Sequence, residues 1–325
     1  MDSFFVSLCR KGLGMVFDNV LDALGNTPLI RLNNVCDSDS AQILVKFEAV
    51  NVGGSVKTRT AYQMLIAAER AGKINPAHSI IVEPTSGNQG IGLALVCAVL
   101  GYQARIIMPD SVSVERRKLV NHYGAEAVIV HDEGDIGKCI TECIELANRM
   151  AAEDPNVFVP QQFENYDNVL AHENQTAREI LEQYDGEIHG FCSGIGTGGT
   201  ITGIGTALRK KFPEVEIWAV EPEHAAILSG GIVGSHLQMG IGDGVIPHIL
   251  DTDIYNTITV VTDAEAIDMA RRLAREEGLM CGISSGTNVT AAVRLAKKLG
   301  AGKTVVTILP DTAERYFSTE LFDGE

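Results

Sequence analysis

Gly53-Gly54-Ser55-Val56-Lys57 decides how this chain is read, because two further loops follow it in a telling order. Glu83-Pro84-Thr85-Ser86-Gly87-Asn88-Gln89-Gly90 comes next, and Gly194-Ile195-Gly196-Thr197-Gly198-Gly199-Thr200 comes later. A lysine after small residues, a loop of hydroxyls and amides, and a glycine loop with threonines together point to a phosphorylated aldehyde held as an imine. Each stretch alone is weak evidence; the combination is specific.

Around these loops, short apolar runs alternate with helical patterns, which predicts parallel sheets covered by helices. Strands are expected at 79–83, 104–108, 127–130, 157–159, 189–192, 216–221, 257–261 and 304–309. Helices are expected at 58–68, 91–100, from 115, and at 136–152, 200–210, 264–277 and 288–299. At 325 residues, two domains or one large α/β unit are expected. No low-complexity tract or 20–50-residue repeat interrupts the pattern, and a boundary falls near Pro160-Gln161-Gln162-Phe163.

The composition, 45% hydrophobic and 21% charged, is that of a soluble globular protein. No apolar run approaches the roughly 18 residues of a membrane span, so no membrane role is expected. A net charge of −16 disfavours nucleic acid as a partner. Seven cysteines without a C-x-x-C pair do not form a disulfide framework. Cys139 and Cys143, one helical turn apart, read as helix packing, and a reducing cytoplasm fits best. The stretch before Gly14 resembles no signal peptide, since Arg10 and Lys11 follow the apolar residues; 1–14 reads as an N-terminal extension, with Met15 an alternative start.

Lys57 is the residue an aldehyde cofactor needs, an amine able to lose its proton beside a tight backbone turn. The plain alternative is a surface lysine at a helix start. Thr85, Ser86, Asn88 and Gln89 supply neutral donors between a strand and a helix, where α/β sheets place ligands and where a carboxylate is well received. A capped helix start is the alternative. Gly194-x-Gly196-x-x-Gly199, trailed by a strand ending in Glu221, also satisfies the dinucleotide-binding pattern. Thr197 and Thr200 among the glycines match a single phosphate better. Gln162 could reach a substrate at the end of a strand, and Ser284, in a segment preceding a helix, could meet a ring nitrogen. The eight histidines show no metal-ligand spacing, so no metal is expected, and His172, His189 and His224 read as scattered surface or core residues.

Taken together, these segments resemble the cysteine synthases (O-acetylserine sulfhydrylases) of the fold-type II pyridoxal phosphate enzymes, a family that includes cystathionine β-synthase. The resemblance runs from Leu24-Gly25-Asn26-Thr27-Pro28-Leu29 to Glu314-Arg315-Tyr316-Phe317-Ser318-Thr319. It implies that Lys57 forms the internal aldimine with pyridoxal 5'-phosphate and later removes the substrate Cα proton. It implies that Asn88 meets the cofactor's 3′ oxygen, and that Gly196, Thr197, Gly198, Gly199 and Thr200 form a phosphate cup. Ser284 would partner the pyridine nitrogen, while Thr85, Ser86, Gln89 and Gln162 would bind the substrate carboxylate. A neutral hydroxyl at the ring nitrogen tempers the electron sink, which suits β-elimination.

The implied reaction is a ping-pong β-replacement, in which O-acetylserine loses acetate to leave an aminoacrylate and sulfide adds to give cysteine. The implied architecture is α/β, with two domains, each a helix-covered and mostly parallel sheet, and the active site in the cleft between them. The smaller domain is expected at 55–160; the larger, phosphate-binding domain is expected at 15–54 and 161–325. A homodimer and a serine acetyltransferase C-terminal tail binding in the same pocket are further expectations of the resemblance.

Three departures from the family pattern stand out. Gln89 replaces the threonine of T-S-G-N-T-G, and Asp243 enters the loop Gly240-Ile241-Gly242-Asp243-Gly244. Asp243 reads either as a solvated loop residue or as an acid/base group handling a thiol leaving group. The tail Pro310-Asp311-Thr312-Ala313-Glu314-Arg315-Tyr316 also differs from the usual P-S-x-G-E-R-Y. Cysteine desulfhydrase, lanthionine synthase and phosphoserine-dependent synthase are the alternatives within the family, the last lacking an evident cation for its phosphate. A nicotinamide-dependent dehydrogenase built on Gly194 to Glu221 is the alternative from another class.

Overall fold

Alternating apolar runs become strands, and the segments between them become the helices that cover those strands. The computed structural model describes residues 16–133, 136–231 and 233–323, so the N-terminal extension expected at 1–14 lies outside the described residues. The chain begins with β1 (Leu29–Arg31), β2 (Gln42–Phe47), α1 (Lys57–Arg70), β3 (Ile80–Pro84) and α2 (Asn88–Leu100). It continues through β4 (Gln103–Pro109), α3 (Val114–His122), β5 (Glu126–Val130), α4 (Ile136–Glu153) and β6 (Val157–Phe158). After α5 (Asp167–Ala171), a π turn (His172–Ala177) and α6 (Arg178–Gln183) come β7 (Gly190–Gly194), α7 (Gly199–Lys211) and β8 (Glu216–Pro222). The last elements with regular spacing are β9 (Thr257–Val261), α8 (Asp263–Glu277), α9 (Ile283–Leu299) and β10 (Thr304–Leu309).

The strands make two sheets. One has the order β5-β4-β3-β6 and is parallel throughout. The other has the order β1-β2-β10-β7-β8-β9 and is parallel except for β1 against β2. Neighbouring residues on a strand face opposite sides, and both sides are apolar here. Ile81 and Ile106 pack with Leu65 and Leu93, whereas Val82 and Ile107 pack with Cys139 and Cys143 of α4. In the larger sheet Ile43, Val45, Val220 and Val305 face α8 and α9, and Leu44, Ala219 and Val306 face α7. Helices therefore cover both faces of each sheet, as the strand patterns require. Among the described residues all six cysteines are free.

Two elements differ from their sequence reading. The helix expected from Asn288 begins at Ile283, so Ser284 sits in its first turn rather than before it. Its Ser, Gly and Thr residues have weak helix propensity, but they let α9 lie close to α8: a Cβ on Gly286 would strike the backbone of Ala266. Likewise β6 ends at Phe158, and Gln161 turns the chain with φ 58° instead of extending a strand.

A buried set of charges ties α1 to the larger sheet. Arg59 donates to Glu48 (Nε to Oε2, 2.9 Å) and to Glu179 (Nη1 to Oε1, 2.6 Å), and Lys46 meets Glu179 at 2.7 Å. All four side chains are buried.

Candidate active site

Lys57 is the first residue of α1, and the backbone before it is fixed from two sides. Gly53 and Gly54 turn with φ 76° and 69°, the left-handed region that glycine adopts without penalty. Val56 N–H donates to Pro310 O at 2.8 Å, and Thr312 N–H donates to Gly54 O at 3.2 Å, which splices the lysine onto the segment after β10. The Lys57 Nζ lies 3.4 Å from Thr197 Oγ1. The side chain reaches the cavity yet stands deep in the protein, and burial pushes its ammonium down to about 8 against the opposing pull of Asp243 and Glu83. A readily deprotonated amine results.

The glycine loop lies opposite. Gly198 has φ 79° at the start of α7, and a Cβ on Gly196 would come within 2.6 Å of Gly240 O. The first N–H groups of any α-helix lack intrahelical partners, so the start of α7 offers donors to an anion. Thr197 Oγ1 accepts from Asn168 Nδ2 at 3.0 Å, and Thr200 Oγ1 is 3.2 Å from His172 Nε2. Gly196, Thr197, Gly198 and Thr200 line the cavity; Gly199 does not, and a Cβ there would strike the Asn168 amide instead.

The amide loop closes a third side. Thr85 Oγ1 accepts from Gly87 N–H at 3.1 Å. Gln89 Oε1 accepts from Thr60 Oγ1 at 2.7 Å, leaving the buried Nε2 without a partner among the described residues. The Thr60 hydroxyl also lies 2.9 Å from Lys57 O. Asn88 Nδ2 donates to Asp311 Oδ2 at 2.6 Å. Ser284, from the first turn of α9, and Asp243, from the loop after Gly240, complete the wall. Burial raises the Asp243 carboxyl above its usual range despite the nearby Lys57 charge.

The structure thus brings Lys57, Thr85, Ser86, Asn88, Gln89, Gln162, Gly196, Thr197, Gly198, Thr200, Asp243 and Ser284 around one cavity of about 600 Å³. That volume lies within the usual range for small-molecule sites. Among the described residues no cluster of His, Cys, Asp or Glu could hold a metal. Glu221, the acid a dinucleotide reading would reserve for a ribose, is 2% exposed and accepts from Leu228 N–H, Ser229 N–H and Ser229 Oγ. That occupation removes the dinucleotide alternative.

Three supporting residues escaped the sequence. Asn168 bridges Thr197 and the Gln162 carbonyl. His172, in the π turn, is fully buried and held neutral by that burial beside Lys57 and Arg59. Glu83 accepts from the N–H groups of Gln161 and Gln162, both at 2.9 Å, and burial pushes its carboxyl up to about 7. Only Glu83 left a trace: a carboxylate ending an otherwise apolar strand.

The donor set fits pyridoxal phosphate. One amine of lowered proton affinity stands opposite a helix start that favours an anion, with neutral hydroxyls and amides between them.

Comparisons with known proteins agree. The model of the pyridoxal-phosphate dependent enzymes matches residues 20–311. A Staphylococcus aureus cysteine synthase is 48% identical over 306 residues, covering 94% of this chain and 97% of that one. The crystal structure of an Entamoeba histolytica cysteine synthase is similar with TM-score 0.89 and 38% identity, covering 96% and 92% of the two chains. A hydrogen sulfide-producing enzyme from Fusobacterium nucleatum is similar with TM-score 0.86 and 38% identity, covering 93% and 100%.

Proposed function

This chain belongs to the pyridoxal-phosphate dependent enzyme family, and from that premise we propose that it is a cysteine synthase. It converts O-acetyl-L-serine and sulfide to L-cysteine and acetate. The observation that carries the reading is Lys57: an enclosed amine with proton affinity lowered to about 8, facing a glycine-rich helix start across one cavity.

Bound through its aldehyde, pyridoxal phosphate withdraws electrons from the substrate Cα, so that the proton there becomes acidic and the β-substituent can leave. The chain's own residues do the rest. Lys57 holds the cofactor and, once released, carries the Cα proton at its Nζ. N–H groups at the start of α7, with the Thr197 and Thr200 hydroxyls, would hold the phosphate. Ser284 would serve the ring nitrogen without enforcing its charge. Thr85, Ser86, Gln89 and Gln162 would fix the substrate carboxylate.

In this reading residues 55–160 form a smaller domain that closes over substrate, and 15–54 with 161–325 form the larger one. The enzyme works as a cytoplasmic homodimer, and the C-terminal tail of a serine acetyltransferase competes for the carboxylate site. Lys57→Ala is expected to displace or remove the visible absorption band of the purified protein and to lower cysteine formation by about a hundredfold to ten-thousandfold. Full activity in that variant would overturn the assignment.

Asp243 favours a second reading, release of sulfide from cysteine. Its carboxyl lines the cavity and is pushed toward the protonated form, which suits protonation of a departing thiolate. Asp243→Ala would then reduce sulfide release from cysteine far more than it reduces synthesis from O-acetylserine. An equal effect on both reactions removes this role.

A further inference from the structure

The segment that departs from P-S-x-G-E-R-Y grips the amide of Asn88 at both ends. Asp311 follows β10 and is fully buried. Its Oδ2 accepts from Asn88 Nδ2 at 2.6 Å and from Tyr316 Oη at 2.7 Å. Arg315 Nη1 donates to the other end of the same amide, Asn88 Oδ1, while its Nη2 donates to Gly53 O. Flipping the amide would set its oxygen against a carboxylate and its NH2 against a guanidinium, so both bonds would become repulsions. Asn88 is therefore held in one orientation. One N–H goes to Asp311, and the second remains for the cavity that Asn88 lines.

Asp311 also reaches the two other walls of the site, one by its backbone and one by its carboxylate. Through its backbone, Asp311 forms an isolated β-bridge with Ser55, two residues before Lys57. Its Oδ1, buried without a partner, packs where a Cβ of Gly282 would lie, at the N-terminal end of α9 that carries Ser284. A buried carboxylate beside a helix N-terminus is stabilised by the helix dipole, which accounts for a charge at a position where the family pattern has serine. Arg116 backs the arrangement from α3, donating to Tyr316 Oη and to Ser86 O, both at 3.3 Å.

Resting on the functional reading above, we propose that Asp311 is a positioning residue for the cofactor: with Arg315 it locks the Asn88 amide so that a donor, never the carbonyl, meets the oxygen on the pyridoxal ring. The orienting effect travels through Asn88, and a double-mutant cycle separates it from the packing of Asp311 against α9.

The test is a double-mutant cycle read by titrating cofactor-stripped protein with pyridoxal phosphate, following the dissociation constant and the position of the visible absorption band. Asp311→Ala and Asn88→Ala are each expected to weaken uptake about tenfold and to displace the band. The double variant is expected to be no worse than Asn88→Ala, the signature of two residues acting as one unit. Asp311→Asn, which keeps an acceptor of the same reach, should restore the band. Tyr316→Phe, which removes a hydroxyl from Asp311 but leaves Asn88 held, should not move it. Additive losses, or a band unmoved in Asp311→Ala, would overturn the proposal. Failure of the unmutated protein to take up pyridoxal phosphate would instead overturn the functional reading, and this proposal with it.

Discussion

At the scale of single residues, the cofactor-binding chemistry is set by burial working against charge. Lys57 has a folded-state value of about 8, below that of the free side chain, so the folded protein disfavours the ammonium. Below about pH 8 both folded and unfolded chains hold the proton, and the full cost of burying the charge is present. Between there and the free lysine value the unfolded chain holds more protons, so folded stability from this group rises with pH. Cofactor-free Lys57→Met is therefore expected to be more stable than the unmutated protein at pH 7, with the gap closing toward pH 10. Denaturant unfolding across that range checks it; a gap that widens with pH would contradict the burial account.

Residue by residue, the candidate site was legible where its members are neighbours in sequence. Thr85 to Gln89 and Gly196 to Thr200 announce themselves because a loop that receives an anion must crowd donors and glycines together. Asn168 and His172 act across long separations in sequence, and nothing local distinguishes them from ordinary core residues; Asp311 shows in sequence only as a departure from the family's tail, with no role attached to it. Gly199 shows the converse. It belongs to the glycine loop by sequence, but its missing side chain makes room for Asn168 rather than for the cavity.

At the scale of elements, propensity and packing compete, and the differences between sequence and structure fall where packing prevailed. Strands at 257–261 and 304–309 were legible to the residue because β-branched runs have sharp ends, whether partly buried, as in the first, or fully buried, as in the second. The start of α9 was not, since Ser284, Ser285 and Gly286 favour loops until a second helix lies against them. The join between α1 and the larger sheet is likewise invisible in sequence, depending on Lys46, Glu48, Arg59 and Glu179 meeting from four separate elements. Arg59→Ala leaves two carboxylates facing one buried ammonium and is expected to destabilise the protein by about 3–5 kcal/mol. Equilibrium unfolding in urea measures this, and a loss below about 1 kcal/mol would show that the charges are not paired as described.

At the scale of the whole molecule, the alternation of strand and helix foretold parallel sheets but not which strands share one. β2 pairs along its length with β10, from the far end of the chain, a partnership no local pattern encodes. It matters for function because the two strands are parallel and end together, Phe47 opposite Leu309, so the segments that follow them deliver Lys57 and Asp311 to the same place. The cavity is then built from the C-terminal ends of parallel strands and the starts of α2, α7 and α9, the places where α/β proteins gather ligands. The central claim, that this cavity runs a β-replacement on O-acetylserine, is tested most directly by following the visible spectrum of the cofactor-loaded protein while adding O-acetylserine and then sulfide, with cysteine and acetate measured at the end. A spectral change on O-acetylserine with release of acetate, reversed by sulfide as cysteine forms, is expected. A cofactor-loaded protein whose spectrum ignores O-acetylserine and which forms no cysteine would contradict it.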